Sequence, residues 1–199
     1  MRIFVAGASG VIGSRLIPLL VADGHAVAGM TRSPHKADLL RELGAEPVVC
    51  DVFDAGALTR AVIAFAPDIV FHQLTDLPDN AADIPAFSER NNRIRGEGTG
   101  NLLAAAAAAS AGPVIAQSIS WELPGESGRA ATAEHERAVL RAGGVVIRYG
   151  QFYGPGTYYE TAPPEPPRVH VDDAARQTVP AVGVPTGITM VVDDRSAGA

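Results

Sequence analysis

Apolar and polar positions alternate along this chain in blocks rather than residue by residue. Short, nearly continuous apolar runs at residues 2–6, 25–30, 46–49, 69–71, 113–117 and 145–148 are separated by stretches with helical spacing at residues 11–22, 34–43, 55–65, 86–109 and 131–141. Strand-length runs without polar alternation need cover on both faces, and connections long enough for helices make neighbouring strands parallel. The pattern predicts an α/β fold with a doubly wound parallel sheet, the Rossmann architecture. The alanine run at 104–109 continues a helix, because alanine is the best helix former. After Gly154 the pattern breaks, and the prolines at 163, 164, 166 and 167 predict a loop. Beyond it, VHVDDAARQTVPAV predicts a short strand and helix, and GITMVVDD a last strand before a frayed tail.

Composition narrows the function classes. With 199 residues, 47% of them hydrophobic and 19% charged, the chain can bury one good core, so a single domain over residues 1–199 is expected. The net charge of −6 and scattered basic residues argue against nucleic acid as a partner. No apolar run approaches the roughly 20 residues that span a bilayer, so no membrane role is expected. The lone Cys50 offers neither a disulfide framework nor a cysteine metal site, and a cytosolic (cytoplasmic) protein without a metal is the expectation.

Gly7, Gly10 and Gly13 form G-x-x-G-x-x-G between the first strand and the first helix. A turn without Cβ atoms, opening onto free helix N–H groups, is what a pyrophosphate requires. An acid near the end of the second strand would hold the ribose 2′-hydroxyl of NAD. Here that stretch reads Gly29-Met30-Thr31-Arg32-Ser33. Arg32 can instead pair with a 2′-phosphate, helped by Thr31, Ser33 and Lys36, so NADP(H) is expected over NAD(H). The alternative is that Arg32 is a solvated surface charge.

Over nearly its whole length the chain resembles the extended short-chain dehydrogenase/reductase superfamily, the NAD-dependent epimerase/dehydratase family. The resemblance rests on GASGVIG at 7–13, Asp51-Val52, the VFHQL run ending at Gln73-Leu74, GTGNLLAAA at 98–106, QSIS ending at Ser120, RYGQFYGPG beginning at Arg148, and VHVDD at 169–173. It implies that the glycine turn with Ser9, Val11 and Ile12 holds the phosphates, that Asp51 and Val52 border the adenine, and that Gln73 and Leu74 pass over the pyrophosphate and ribose. It further implies that Tyr149, Gly150, Gln151 and Phe152 flank the nicotinamide, and that two chains form a homodimer through the helices near 86–109 and 131–141. Residues 155–199 stand where the family carries a longer substrate-binding region, so the substrate side is reduced.

One departure bears on activity. The family's catalytic pair is Tyr-x-x-x-Lys, yet the only lysine is Lys36 and all four tyrosines follow residue 148. Ser118 or Ser120 matches the family's catalytic Ser/Thr, and Ser118 could align a carbonyl. His135 could exchange protons near neutral pH, although in AEHERA its charged neighbours, Glu134 and Glu136 among them, mark a solvated helix face. Tyr153 could donate a proton or pack its turn. His72 and His170 read as core or loop histidines, Trp121 could line a pocket, and Asp172 and Asp173 read as helix-start acids. The leading expectation is an atypical NADP(H)-dependent oxidoreductase acting on a small-molecule carbonyl or alcohol. A non-catalytic dinucleotide sensor and a non-redox isomerase or cyclase on the same fold remain open.

Overall fold

The computed structural model describes residues 1–193, so the tail read as frayed lies outside the described residues. In chain order the elements are β1 (Arg2–Ala6), α1 (Gly13–Ala22), β2 (Ala26–Thr31), α2 (Ala37–Glu42), β3 (Glu46–Val49), α3 (Ala55–Phe65), β4 (Ile69–His72), α4 (Ile84–Arg93), α5 (Thr99–Ala108), β5 (Val114–Ile119), α6 (Glu126–Arg141), β6 (Val145–Tyr149), β7 (Gln151–Tyr153), β8 (Arg168–His170), α7 (Val171–Thr178) and β9 (Gly187–Val191).

Seven strands form one sheet in the order β3-β2-β1-β4-β5-β6-β9, every pair parallel. The winding reverses between β1 and β4, which opens a crevice at the carboxyl edge where ligands of such sheets bind. Strand alternation divides the core. Ile3, Val5, Ile69, Phe71, Val145, Ile147 and Tyr149 point to the face covered by α1, α2 and α7. Phe4, Ala6, Val70 and Val114 point to the opposite face, under α3 and α5. Ala116 and Val146 meet Val139 of α6 on that same side. Both faces are buried, which is why the strands read as continuous apolar runs.

Two boundaries differ from the sequence reading. The stretch expected as one helix over residues 86–109 is α4 and α5 joined by a π-helical turn at Ile94–Gly98. Helix α6 starts at Glu126, five residues before the predicted start at 131. Its first turns contain Ser127 and Gly128, which carry no apolar periodicity, and Gly125 at φ 87° makes the actual break. β7 and β8 pair as a separate two-stranded ribbon, and Tyr153 ends its first strand.

Candidate nucleotide and active site

The three glycines do different work. Gly7 has φ 86°, and a Cβ there would lie 2.4 Å from the Gln73 carbonyl oxygen, so only glycine lets the turn close against β4. A Cβ on Gly13 would meet the Gly7 oxygen at 2.3 Å, fixing the close start of α1. Gly10 is exposed, with only the Gly7 oxygen near its missing Cβ, at 3.3 Å. Open space at the N-terminus of α1 suits a pyrophosphate, whose charge the first-turn N–H groups complement. Val11 is exposed beside it, whereas the Ile12 side chain belongs to the core and offers its main chain alone. The Thr31 hydroxyl lies 2.9 Å from that of Ser9 and accepts the Ser33 N–H at 3.2 Å. It therefore ties the glycine turn to the end of β2.

Arg32 is not a free surface charge. Its Nη2 donates to Asp76 Oδ1 at 2.9 Å. Asp76, in the loop after β4, is almost fully buried and also accepts Arg90 Nε and Nη2, at 3.0 and 3.1 Å. Burial works against its charge, but the two guanidinium groups outweigh it and hold its pKa below the usual carboxylate range. Lys36 sits half-exposed in the short turn before α2. Across the crevice mouth, Asp51 is exposed and accepts the Phe53 N–H, while Val52 is buried and its carbonyl accepts Asn101 Nδ2 at 3.0 Å.

At the ends of β4 and β5 the structure overturns two sequence expectations. His135 and Glu136 do not lie on a solvated face; they are 3% and 7% exposed. Thr132, His135, Glu136 and Val139 recur at helical spacing and form the inward stripe of α6, while Glu134 pairs outward with Arg137 and Arg141. His135 Nε2 donates to the Gln117 carbonyl at 2.9 Å, leaving Nδ1 to accept the Thr99 hydroxyl at 2.8 Å. His72 Nδ1 accepts the Leu74 N–H at 3.3 Å, so its Nε2 donates to Thr99 Oγ1 at 3.0 Å. Gln117 Nε2 returns to the Leu74 carbonyl at 2.9 Å. The loop after β4 and the end of β5 are thereby bound into one network. Burial pushes the pKa of both histidines down, His72 well down, and keeps them neutral. The amide atoms of Gln73 are buried without a hydrogen-bond partner among the described residues.

Ser118 donates to Glu136 Oε1 at 2.6 Å, and Arg148 donates to both carboxylate oxygens, Nε at 2.9 Å and Nη2 at 2.5 Å. Burial opposes the charge of Glu136, but the bonds from Arg148 and Ser118 prevail, so its pKa falls and it stays an acceptor. Beside it a cleft of ≈ 370 Å³ is lined by Ser120, Trp121, Arg129, Thr132, Glu136 and Met190. Ser120 spends its hydroxyl on the Tyr149 carbonyl at 2.9 Å.

The segment after β6 is mostly engaged in packing. Tyr149 is core, its hydroxyl 2.6 Å from Thr178 Oγ1 and its pKa pushed up to about 12 by burial. Gly150 closes on the Arg168 main chain, Gln151 donates to the Glu165 carbonyl, and Phe152 packs on the Tyr149 ring at 5.2 Å. Tyr153 lies edge-on to His170, in a different cleft of ≈ 270 Å³, so it does not join Ser118 and His135. Burial and then Asp193 raise its pKa. Asp172 and Asp173 pair with Arg15 and Arg176, and His170 caps α7 by accepting the Asp172 N–H. Among the described residues no cluster suits a metal, and no helix is long and apolar enough to cross a membrane.

The comparisons with known proteins bear on the family and the fold. A family model described as the NAD dependent epimerase/dehydratase family matches residues 3–139. A 3-diazoavenalumate denitrifying reductase from a Streptomyces species is 36% identical over an alignment of 241 positions, covering 100% of this chain and 78% of that protein. A 4-hydroxy-2-methyl-3-oxo-4-farnesyl-3,4-dihydroquinoline-1-oxide ketoreductase from Stigmatella aurantiaca is 33% identical, over 74% of this chain and 49% of its own length. The UDP-glucose 4-epimerase of Thermus thermophilus, solved in complex with NAD, superposes with a TM-score of 0.78 at 22% identity, covering 96% of this chain and 78% of that one. At that identity the likeness concerns the fold alone.

Proposed function

Because the chain belongs to the NAD-dependent epimerase/dehydratase family, we propose that it is an NADP(H)-dependent reductase whose acceptor takes a hydride without drawing a proton from the protein. Bound along the carboxyl edge, the reduced nicotinamide supplies the hydride. In this reading Gly7, Ser9, Gly10, Val11, Ile12 and Gly13 offer main-chain and hydroxyl groups to the pyrophosphate. Arg32, with Ser33 beside it, meets the 2′-phosphate, while Thr31 holds the glycine turn in place. Asp51 and Val52 border the adenine, Gln73 and Leu74 the central ribose, and the main chain at Tyr149 to Phe152 the nicotinamide end. Among the described residues, the Gln73 amide is the buried side-chain polar group left without a hydrogen-bond partner, which gives it capacity for a ligand.

The observation that carries the proposal is the inward face of α6. It bears no tyrosine and no lysine, and of the two acids lining the cleft Glu136 is held ionised by Arg148 and Ser118, while Glu122, just after β5, is exposed to solvent. An ionised carboxylate can orient an acceptor but not protonate it, and the buried Ser118 spends its proton on that carboxylate. Neutral His135 has both ring nitrogens engaged, and Tyr153 lines the other cleft. Carbonyl reduction needs a proton on oxygen. Loss of nitrogen from a diazonium does not: R–N₂⁺ and hydride give R–H and N₂, the C–H bond forming as the C–N bond breaks. The Streptomyces relative is by name a denitrifying reductase of a diazo compound, which supports the same reaction class here. The acceptor we infer is a small diazo-substituted carboxylate, its acid group paired with Arg129 at the rim of the larger cleft.

Incubating the protein with NADPH deuterated at C4 and an aryl diazonium carboxylate tests this. The expected products are N₂ and an arene with deuterium at the carbon that lost nitrogen, formed well above the protein-free rate. Turnover of ketones with no turnover of the diazonium would contradict the proposal.

A further inference from the structure

Arg32 is the residue on which the NADP(H) reading turns, yet its position is set by residues far along the chain. Asp76 is fixed entirely from α4. Its main-chain N–H donates to the buried Asn91 side chain at 3.0 Å, and its carboxylate takes two bonds from Arg90. Arg90 is in turn braced by the Phe87 ring, 4.5 Å from its guanidinium carbon. Against this fixed carboxylate Arg32 spends one nitrogen, Nη2, its only hydrogen bond among the described residues. Its side chain is 53% exposed, and Nε and Nη1 keep their N–H groups for another partner. Arg90 neutralises the carboxylate through the two-pronged contact, so the three-residue cluster carries a net charge of +1, with the exposed Asp51 the other charge that acts on Arg32. Arg32 and Asp76 also bridge the residues following β2 and β4, the two strands flanking β1 and its glycine turn.

Resting on the NADP(H) reading, we propose that Asp76 and Arg90 are positioning residues for a phosphomonoester site: Asp76 holds Arg32 with its free edge turned to the 2′-phosphate, and Arg90 offsets the Asp76 charge so that the charge of Arg32 stays available to the phosphate. A long arginine left loose would lose side-chain entropy on binding; one already held by a buried partner loses less. Selectivity between the two nicotinamide cofactors is then set by the loop after β4 and by α4 as well as by the end of β2.

The test is calorimetric titration of the full chain with adenosine 2′,5′-bisphosphate and with 5′-AMP, ligands that differ only in the 2′-phosphate. The unsubstituted protein should bind the bisphosphate more tightly. Asp76→Asn, which frees Arg32, and Arg90→Gln, which leaves Asp76 to draw Arg32 in fully, should each weaken the bisphosphate by about tenfold, the worth of a charge-assisted hydrogen bond. Affinity for 5′-AMP should stay constant and serves as the check that each variant is folded. An unchanged ratio in both variants would overturn the positioning role. Tighter bisphosphate binding by Asp76→Asn would overturn it too, since Asp76 would then be competing with the phosphate. If the unsubstituted protein shows no preference, the NADP(H) reading itself fails; a preference that survives both substitutions sinks only the present inference.

Discussion

Glu136 is a buried carboxylate whose charge survives because Arg148 and Ser118 supply three hydrogen bonds. Removing one partner of such a cluster leaves the others desolvated and unpaired. Glu136→Ala is expected to cost about 1–3 kcal/mol, less than for a fully buried pair because Arg148 is partly exposed. Glu136→Gln, which keeps the shape and can still accept from Ser118, should cost less. Urea unfolding midpoints at pH 7.5 give both values, and equal midpoints for Glu136→Ala and the parent would contradict the pairing. This cluster and that around Asp76 were the least legible part of the site in the sequence. Glu136 sits among the charges of AEHERA, which read as solvated, and Asp76 meets Arg32 and Arg90 only after the chain has folded. Arg32 itself was visible because the strand end that carries it is fixed by the glycine motif.

Helix α6 explains why polar sequence misled at the scale of the element. Apolar periodicity detects an inward face only when that face is apolar, and here Thr132, His135 and Glu136 occupy it. The consequence is a pH dependence. His72 and His135 have pKa values below the ordinary one of about 6.5, so the unfolded chain takes up protons that the folded chain refuses as pH falls through that value. The stability tied to the neutral imidazoles is fully present above about pH 6.5 and declines below it, by up to about 1.4 kcal/mol per histidine per pH unit. Unfolding free energies at pH 7.5 and pH 5.5 should differ accordingly, and His135→Asn should reduce the difference. Identical values in the parent would mean that the His72–Thr99–His135 network is open to protons. The strands, by contrast, were legible to within a few residues because burial on both faces makes them continuous apolar runs.

For the whole molecule, topology decides where chemistry can occur. The order β3-β2-β1-β4-β5-β6-β9 sets the glycine turn, Arg32 and the Leu74–Gln117 network along one carboxyl edge, with the Glu136 cleft at its far end. The sheet and glycine turn were readable because their motifs are local. The packing of residues 149–153 was not, since it depends on pairing with β8 across the proline-rich loop. The proposed function rests on an α6 whose inward face orients an acceptor and carries no tyrosine or lysine to protonate it. The most direct measurement is the pH dependence of single-turnover hydride transfer from NADPH to an aryl diazonium carboxylate, followed at the nicotinamide absorbance between pH 7 and 9. A rate that is flat across this range, with no solvent deuterium effect, is the predicted result. A rate that falls with rising pH along a single titration, with a solvent deuterium effect, would reveal a protein proton donor and contradict the central claim.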